Sequence, residues 1–226
     1  MRHLFRHARG AFHALAFVAV LIGGFSLGLM PARQSQVRAD DRAPSRNHEV
    51  AQKLWVSAQE IQDRFPTSQH AEFMRRAIAN SRAAGVVERT GGAVGALIVD
   101  RGGQIVADCA NHVVDRCDPT AHAEMEAIRA ACAKLKVLKL DGCILYASAE
   151  LCPMCLATCY WAGLDGVCFA ALTADSKKFG GFDDAFIFEQ LHKPPGERKI
   201  PEIQMLREEA VSVWKEFATL PDNVPY

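Results

Sequence analysis

The chain has 226 residues, half of them hydrophobic and 23% charged, which suits a globular domain with a core and excludes general disorder. Its formal charge is zero, yet residues 1–39 carry five arginines and no acid, so residues 40–226 hold 21 basic against 26 acidic side chains. A body with that balance is not expected to bind nucleic acid, which needs a basic field along its phosphate contacts.

Arg2, Arg6 and Arg9 precede an uncharged stretch from Gly10 to Ala32. This charged-then-apolar order predicts a signal peptide over residues 1–39, with Val37-Arg38-Ala39 as a cleavage site, or an N-terminal membrane anchor. Either way the body is expected outside the cytoplasm, exported or anchored, and membrane contact is confined to that segment. Residues 40–69 read as a linker with an additional surface helix, since Val50, Leu54, Trp55, Ala58 and Ile61 fall at helical spacing.

The body is expected over residues 70–226. A helix is predicted from His70 to Ala84, with Phe73, Ala77 and Ile78 inward and Gly85 ending it. Ala93–Val99 and Gln104–Ala110 read as a hairpin about Asp100-Arg101-Gly102-Gly103. A helix opens after Asp118-Pro119-Thr120, a strand follows at Cys143–Ala147, and a helix runs from Pro153 to Gly163. Val167–Leu172 reads as a strand, 176–182 as loop, Asp184–Leu191 as a helix, Ile203–Leu206 as a last strand and Val211–Phe217 as a last helix. Helices between strands after an initial hairpin predict an α/β fold with a mixed sheet covered on both faces.

Two segments can carry chemistry. His122-Ala123-Glu124 and Cys152-Pro153-Met154-Cys155 supply one imidazole and two thiolates, a set that suits one zinc ion and leaves one tetrahedral position for water. Cys152 and Cys155 fall in a helix's first turn, where free N–H groups and the helix dipole favour thiolates. Glu124, two residues from His122, can address the same site only if the helix end points at the metal. Zinc brings bound water to a pKa of roughly 7, and an unbound carboxylate beside it can pass the water proton to a leaving amine. His-x-Glu followed by Cys-x-x-Cys is the pattern of zinc-dependent base deaminases. Cys152 and Cys155 alone also fit an exported thiol–disulfide protein, which would leave His122 and Glu124 idle.

Asp118–Arg129 and Cys143–Cys155 resemble the cytidine deaminase superfamily. Tyr160-Trp161-Ala162, Gly181–Ile187 and Lys193–Arg198 resemble more narrowly its bacterial guanine deaminases. The resemblance covers residues 70–226 and implies a three-layer α-β-α cytidine-deaminase-like fold. It implies that His122, Cys152 and Cys155 hold one Zn2+ per chain, and that Glu124 shuttles protons. It implies that Asn111 hydrogen-bonds a purine, that Asp183 reads guanine's amino edge and assists proton transfer, and that Trp161 lies near the base. It gives Tyr226 the role of closing over substrate, from a tail exchanged within a homodimer. The reaction implied is hydrolysis of guanine to xanthine and ammonia; guanosine or another nucleobase or nucleoside is the alternative. Asp183 and Asn111 also stand where each could cap a helix or turn. Ala93-Val94 replaces the family's usual Pro-Phe, and Leu151 replaces a proline before Cys152.

Overall fold

A computed structural model describes residues 55–223. The predicted leader (1–39), the start of the predicted surface helix (Val50, Leu54) and Tyr226 lie outside the described residues. Among the described residues, no helix is long and apolar enough to cross a membrane.

The sheet has four strands, β1 (Gly95–Val99), β2 (Ile105–Ala110), β3 (Ile144–Ala149) and β4 (Gly166–Ala171), in the order β2-β1-β3-β4. β1 runs antiparallel to both β2 and β3, while β3 and β4 are parallel, so the sheet is mixed as expected. The Asp100 carboxylate closes the hairpin by accepting hydrogen bonds from the backbone of Gly102 and Gln104, both at 2.9 Å. A parallel pair needs a crossover, and the helix Pro153–Ala162 supplies it between β3 and β4.

β1 and β3 are buried along their whole length, because each face of the sheet carries its own core. Strand alternation sends Ala96, Ile98, Leu145 and Ala147 to one side and Leu97, Val99, Ile144 and Tyr146 to the other. Helices α3 (Ala123–Leu135) and α4 (Pro153–Ala162) cover the first set, whereas α1 (Ala58–Asp63) and α2 (Thr67–Arg82) cover the second. This is the three-layer α-β-α arrangement that the sequence predicts.

Four local expectations change. Helix α2 does not stop at Gly85: a π-helical turn carries it from Ala83 to Val87. Gly85 serves close approach instead, since a Cβ there would lie 2.6 Å from the Cα of Ala93. Ile78 is 46% exposed rather than inward.

The region 176–182, expected as loop, lies mostly in helix α5 (Thr173–Gly180). Its first turn is capped from afar, because the Thr173 N–H and hydroxyl both donate to Glu150 Oε2, at 2.9 and 2.7 Å. That partner lies 23 residues earlier and leaves no local signal. No strand forms at 203–206.

The additional helix expected within residues 40–69 forms at Ala58–Asp63 and packs on the body. Ser57 and Glu60 form a reciprocal capping box at the start of α1. Ile61 and Phe65 then enter the second core. Arg64 donates to the Gly142 carbonyl at 3.0 Å and to buried Asp165 at 2.7 Å. The remaining helices, α6 (Asp184–His192) and α7 (Arg207–Thr219), follow β4 and α5, and no described residue beyond Asp165 is buried.

Candidate active site

Two helix N-termini meet beside the ends of β1 and β3. The Asp118 carboxylate accepts from the N–H and hydroxyl of Thr120, both at 2.8 Å, and so turns the chain into α3. His122 is the N-cap of that helix, with extended backbone (φ −66°, ψ 149°). Cys152 is the N-cap of α4, Pro153 opens its first turn, and Cys155 follows one turn in. The helix ends, not their sides, face the site, which lets His122 and Glu124 address one point.

His122 Nδ1 lies 3.6 Å from Cys152 Sγ and 3.6 Å from Cys155 Sγ. All three ligand atoms lie within 4.8 Å of one another. Tetrahedral zinc with ordinary Zn–N and Zn–S bonds holds nitrogen and sulfur roughly 3.6 Å apart, so the donor set fits zinc in both chemistry and spacing. Cys152 is pushed down to about 4 by the thiol hydrogen bond from Cys155 and then by His122, while Cys155 is driven up because it keeps that proton. His122 is raised by its hydrogen bond with Cys152. A divalent cation takes the place of these shared protons. A thiol–disulfide pair has no use for an imidazole seated against both sulfurs.

Glu124 is 3% exposed, and its Oε2 is buried with no hydrogen-bond partner among the described residues. Burial pushes its carboxyl up to about 7. An unpaired buried carboxylate is costly unless something at the site uses it. Its place on the wall of the same pocket gives it a reacting partner rather than a structural one.

That pocket encloses about 170 Å³ and is lined by His122, Cys152 and Glu124 at its floor. Gly92, Val94, Val113 and Val114 also line it, as do Glu150, Ser176, Phe182 and Asp184. Asn111 is among the residues that line it. Val94, in place of the family's aromatic, lines the wall directly.

Asp183 is not. It is exposed, pairs with Lys177 at 2.9 Å and accepts from the Phe186 N–H at 3.3 Å, so it caps α6. Its neighbour Asp184 is the acid on the pocket wall, with its carboxyl raised first by burial and then by Cys152. The cap fixes which of the adjacent acids turns inward: a side chain that closes the helix end points away from the pocket.

Trp161 does not line this pocket; it is 62% exposed on α4, where its carbonyl accepts from Lys139 Nζ at 2.7 Å. Tyr226 lies outside the described residues. Sequence reasoning missed Phe182 and Glu150 in the pocket wall. Phe182 sits in the Gly181–Ile187 segment that carries the resemblance, and Glu150 stands two residues before Cys152, so both lay beside motifs already singled out.

Residues 67–171 match the cytidine and deoxycytidylate deaminase zinc-binding region. Guanine deaminase of Bacillus subtilis (strain 168) is 45% identical over 152 residues, which is 66% of this chain and 96% of that protein. A tRNA-specific adenosine deaminase of Aquifex aeolicus is 38% identical over 124 residues, 55% of this chain and 78% of that one. The X-ray structure of the Bacillus subtilis guanine deaminase superposes with a TM-score of 0.66 at 42% identity, covering 70% of this chain and 98% of that chain. The chain belongs to the zinc-dependent cytidine deaminase superfamily, in the family that includes the bacterial guanine deaminases.

Proposed function

We propose that the chain hydrolyses guanine to xanthine and ammonia. The observation that carries this reading is Glu124 Oε2, buried and unpartnered in a pocket floored by His122 and Cys152. His122, Cys152 and Cys155 would hold the zinc ion, which when bound supplies the Lewis acidity that makes water nucleophilic near neutral pH. Glu124 takes a proton from water as the oxygen bonds to C2 of the base. It then gives that proton to the amino nitrogen, the C2–N bond breaks and ammonia leaves. Asp184, rather than Asp183, is the acid placed to meet the base's amino edge. Asn111, which lines the same pocket, would hold the base. An ammonia-release screen of purified protein tests the reading. Guanine is expected to be turned over in preference to guanosine, adenine, cytosine and cytidine; turnover of cytidine or adenine alone would overturn it.

The chain is further proposed to form a homodimer with exchanged C-terminal tails, in which Trp161 and Tyr226 serve a neighbouring pocket. Exposed apolar side chains such as Phe179, Leu191, Ile203, Trp214 and Leu220 support it, because a tail with no buried residue needs a covering surface. Light scattering on the purified protein checks this, and a monomer would refute it. Export or anchoring of the body rests on the arginine-then-apolar order of residues 1–39. Cell fractionation with N-terminal sequencing distinguishes a removed leader, a retained anchor and an unexported body.

A further inference from the structure

Gly92 lines the pocket and Gly91 backs onto Asn111, which lines it; neither glycine has a left-handed φ. Their backbone conformation therefore does not require glycine, and space must be the reason for it. A Cβ on Gly91 would lie 1.9 Å from Asn111 Oδ1 and 2.8 Å from its Cγ. A Cβ on Gly92 would lie 3.1 Å from Phe182 Cζ. The same ring also rests over Gly180, whose added Cβ would meet it at 2.7 Å, so Phe182 lies in a slot between two bare backbones.

The segment cannot simply move aside. The Thr90 carbonyl accepts from the N–H groups of Val114 and Asp115, at 2.9 and 3.2 Å. The Thr90 hydroxyl donates to the Asn111 carbonyl at 2.7 Å. The Asn111 N–H donates to the Val94 carbonyl at 3.1 Å, and the Val94 N–H to that of Gly92 at 2.7 Å. The backbone on both sides of Gly91 is thus tied to the backbone of Asn111. A new side chain at 91 must displace the amide.

That amide has one possible orientation. The Val113 N–H donates to Asn111 Oδ1 at 3.1 Å, and only the oxygen end can accept it. The amide nitrogen is left as the other end of a 4% exposed side chain on the pocket wall, with no hydrogen bond to it among the described residues. It offers two donors to whatever fills the pocket.

We propose that Gly91 and Gly92 are specificity-setting positions. Gly91 holds the Asn111 amide so that it presents a donor to an acceptor atom on the ring of the substrate base. Gly92 admits the Phe182 ring as the aromatic wall that Val94 does not provide. Both act through other side chains and are positioning residues. The inference rests on the pocket being the site of guanine hydrolysis.

The test compares guanine with 2-aminopurine, which lacks the O6 acceptor, and with 7-deazaguanine, which lacks the N7 acceptor; both keep the C2 amine. The wild-type enzyme is expected to favour guanine over at least one of them by about tenfold, the size of one lost hydrogen bond to a buried donor. Gly91→Ala is expected to remove that preference with zinc content unchanged. In an Asn111→Ala background, Gly91→Ala is expected to cost no more than about twofold, since both contacts below 3.0 Å are then removed and the nearest remaining one is the Asn111 carbonyl at 3.1 Å. Gly92→Ala is expected to raise KM more than it lowers kcat, and no more so than Phe182→Leu. Gly91→Ala with undiminished preference for guanine overturns the proposal, as does an equal loss with and without the Asn111 amide. Should Gly91→Ala fail to fold, recovery of folding in the Gly91→Ala/Asn111→Ala double variant supports the stated clash, and its failure to recover refutes it. A wild-type protein inactive on guanine defeats instead the reading on which the inference rests.

Discussion

His122 Nδ1 sits 3.6 Å from Cys155 Sγ, although 33 residues of chain separate them. The contact exists because α3 and α4 present their N-termini to the same point, each entered by an extended N-cap residue. Cys152 completes the set at the same distance from the imidazole.

Removing one of three ligands leaves too few donors for a tetrahedral site. Cys155→Ser is expected to purify with little or no zinc, as read by metal analysis of the dialysed protein. Stoichiometric zinc in that variant would require a different ligand set.

Glu124→Gln keeps the shape of the side chain but cannot accept a proton. Activity is expected to fall by about 10²–10⁴, the usual contribution of a positioned acid–base group, while zinc remains bound. Ammonia release and metal content measured on one preparation decide the matter. Loss of zinc would make the carboxylate a ligand.

The two adjacent acids separate by role. Asp184→Asn is expected to lower kcat/KM for guanine by at least tenfold, because its carboxylate lines the pocket. Asp183→Asn is expected to leave kcat/KM within about twofold, since asparagine caps a helix as well as aspartate does. The reverse pattern in steady-state kinetics would restore the role to Asp183.

Burial raises the Glu124 carboxyl from an ordinary 4.5 to about 7 in the absence of metal. The charged form is therefore the disfavoured one in the folded state. Its penalty is absent below pH 4.5, grows between 4.5 and 7, and is complete above 7. Measured as the difference from Glu124→Gln, which cancels the opposing titration of Cys152, zinc-free wild-type protein is expected to gain stability as pH falls from 8 to 5, by up to about 3 kcal/mol. Glu124→Gln removes that dependence and raises Tm at pH 8. Parallel pH profiles for the two proteins would argue that the side chain is hydrated.

Arg64 covers Asp165, and both are largely buried. Arg64→Ala leaves the carboxylate with the Gly142 N–H at 2.9 Å and the more distant Arg101 at 3.7 Å, and is expected to destabilise the fold by about 1.5–3 kcal/mol. Ile61 packs onto Gly166, where a Cβ would lie 2.7 Å from its Cδ1, and Ile61→Ala is expected to cost about 2–4 kcal/mol. Denaturant melts of each variant test whether residues 55–66 belong to the cooperative unit; unchanged midpoints would return them to the status of a linker.

Much of the fold was legible because its signals are local. The hairpin is announced by Asp100-Arg101-Gly102-Gly103, α4 by Pro153 and Gly163, and the buried strands by their apolar runs. Helix α5 was not legible, because Glu150 caps it across the fold. Gly85 was misread for a related reason: it permits contact with Ala93 instead of ending a helix. The helix at 58–63 was legible from its apolar spacing, but its attachment was not, because Arg64 finds its partners at Gly142 and Asp165.

The sequence by itself determined the chemistry, since an imidazole, two thiols and a carboxylate at these spacings have few shared uses. Tertiary structure alone decided which neighbouring side chains face the substrate. Asp183 and Asp184 are chemically identical, and Gly91 resembles any other glycine. Only the helix cap that turns one acid outward, and the amide that fills the place of a missing Cβ, distinguish them. Those distinctions depend on contacts between distant segments, which spacing along the chain does not encode.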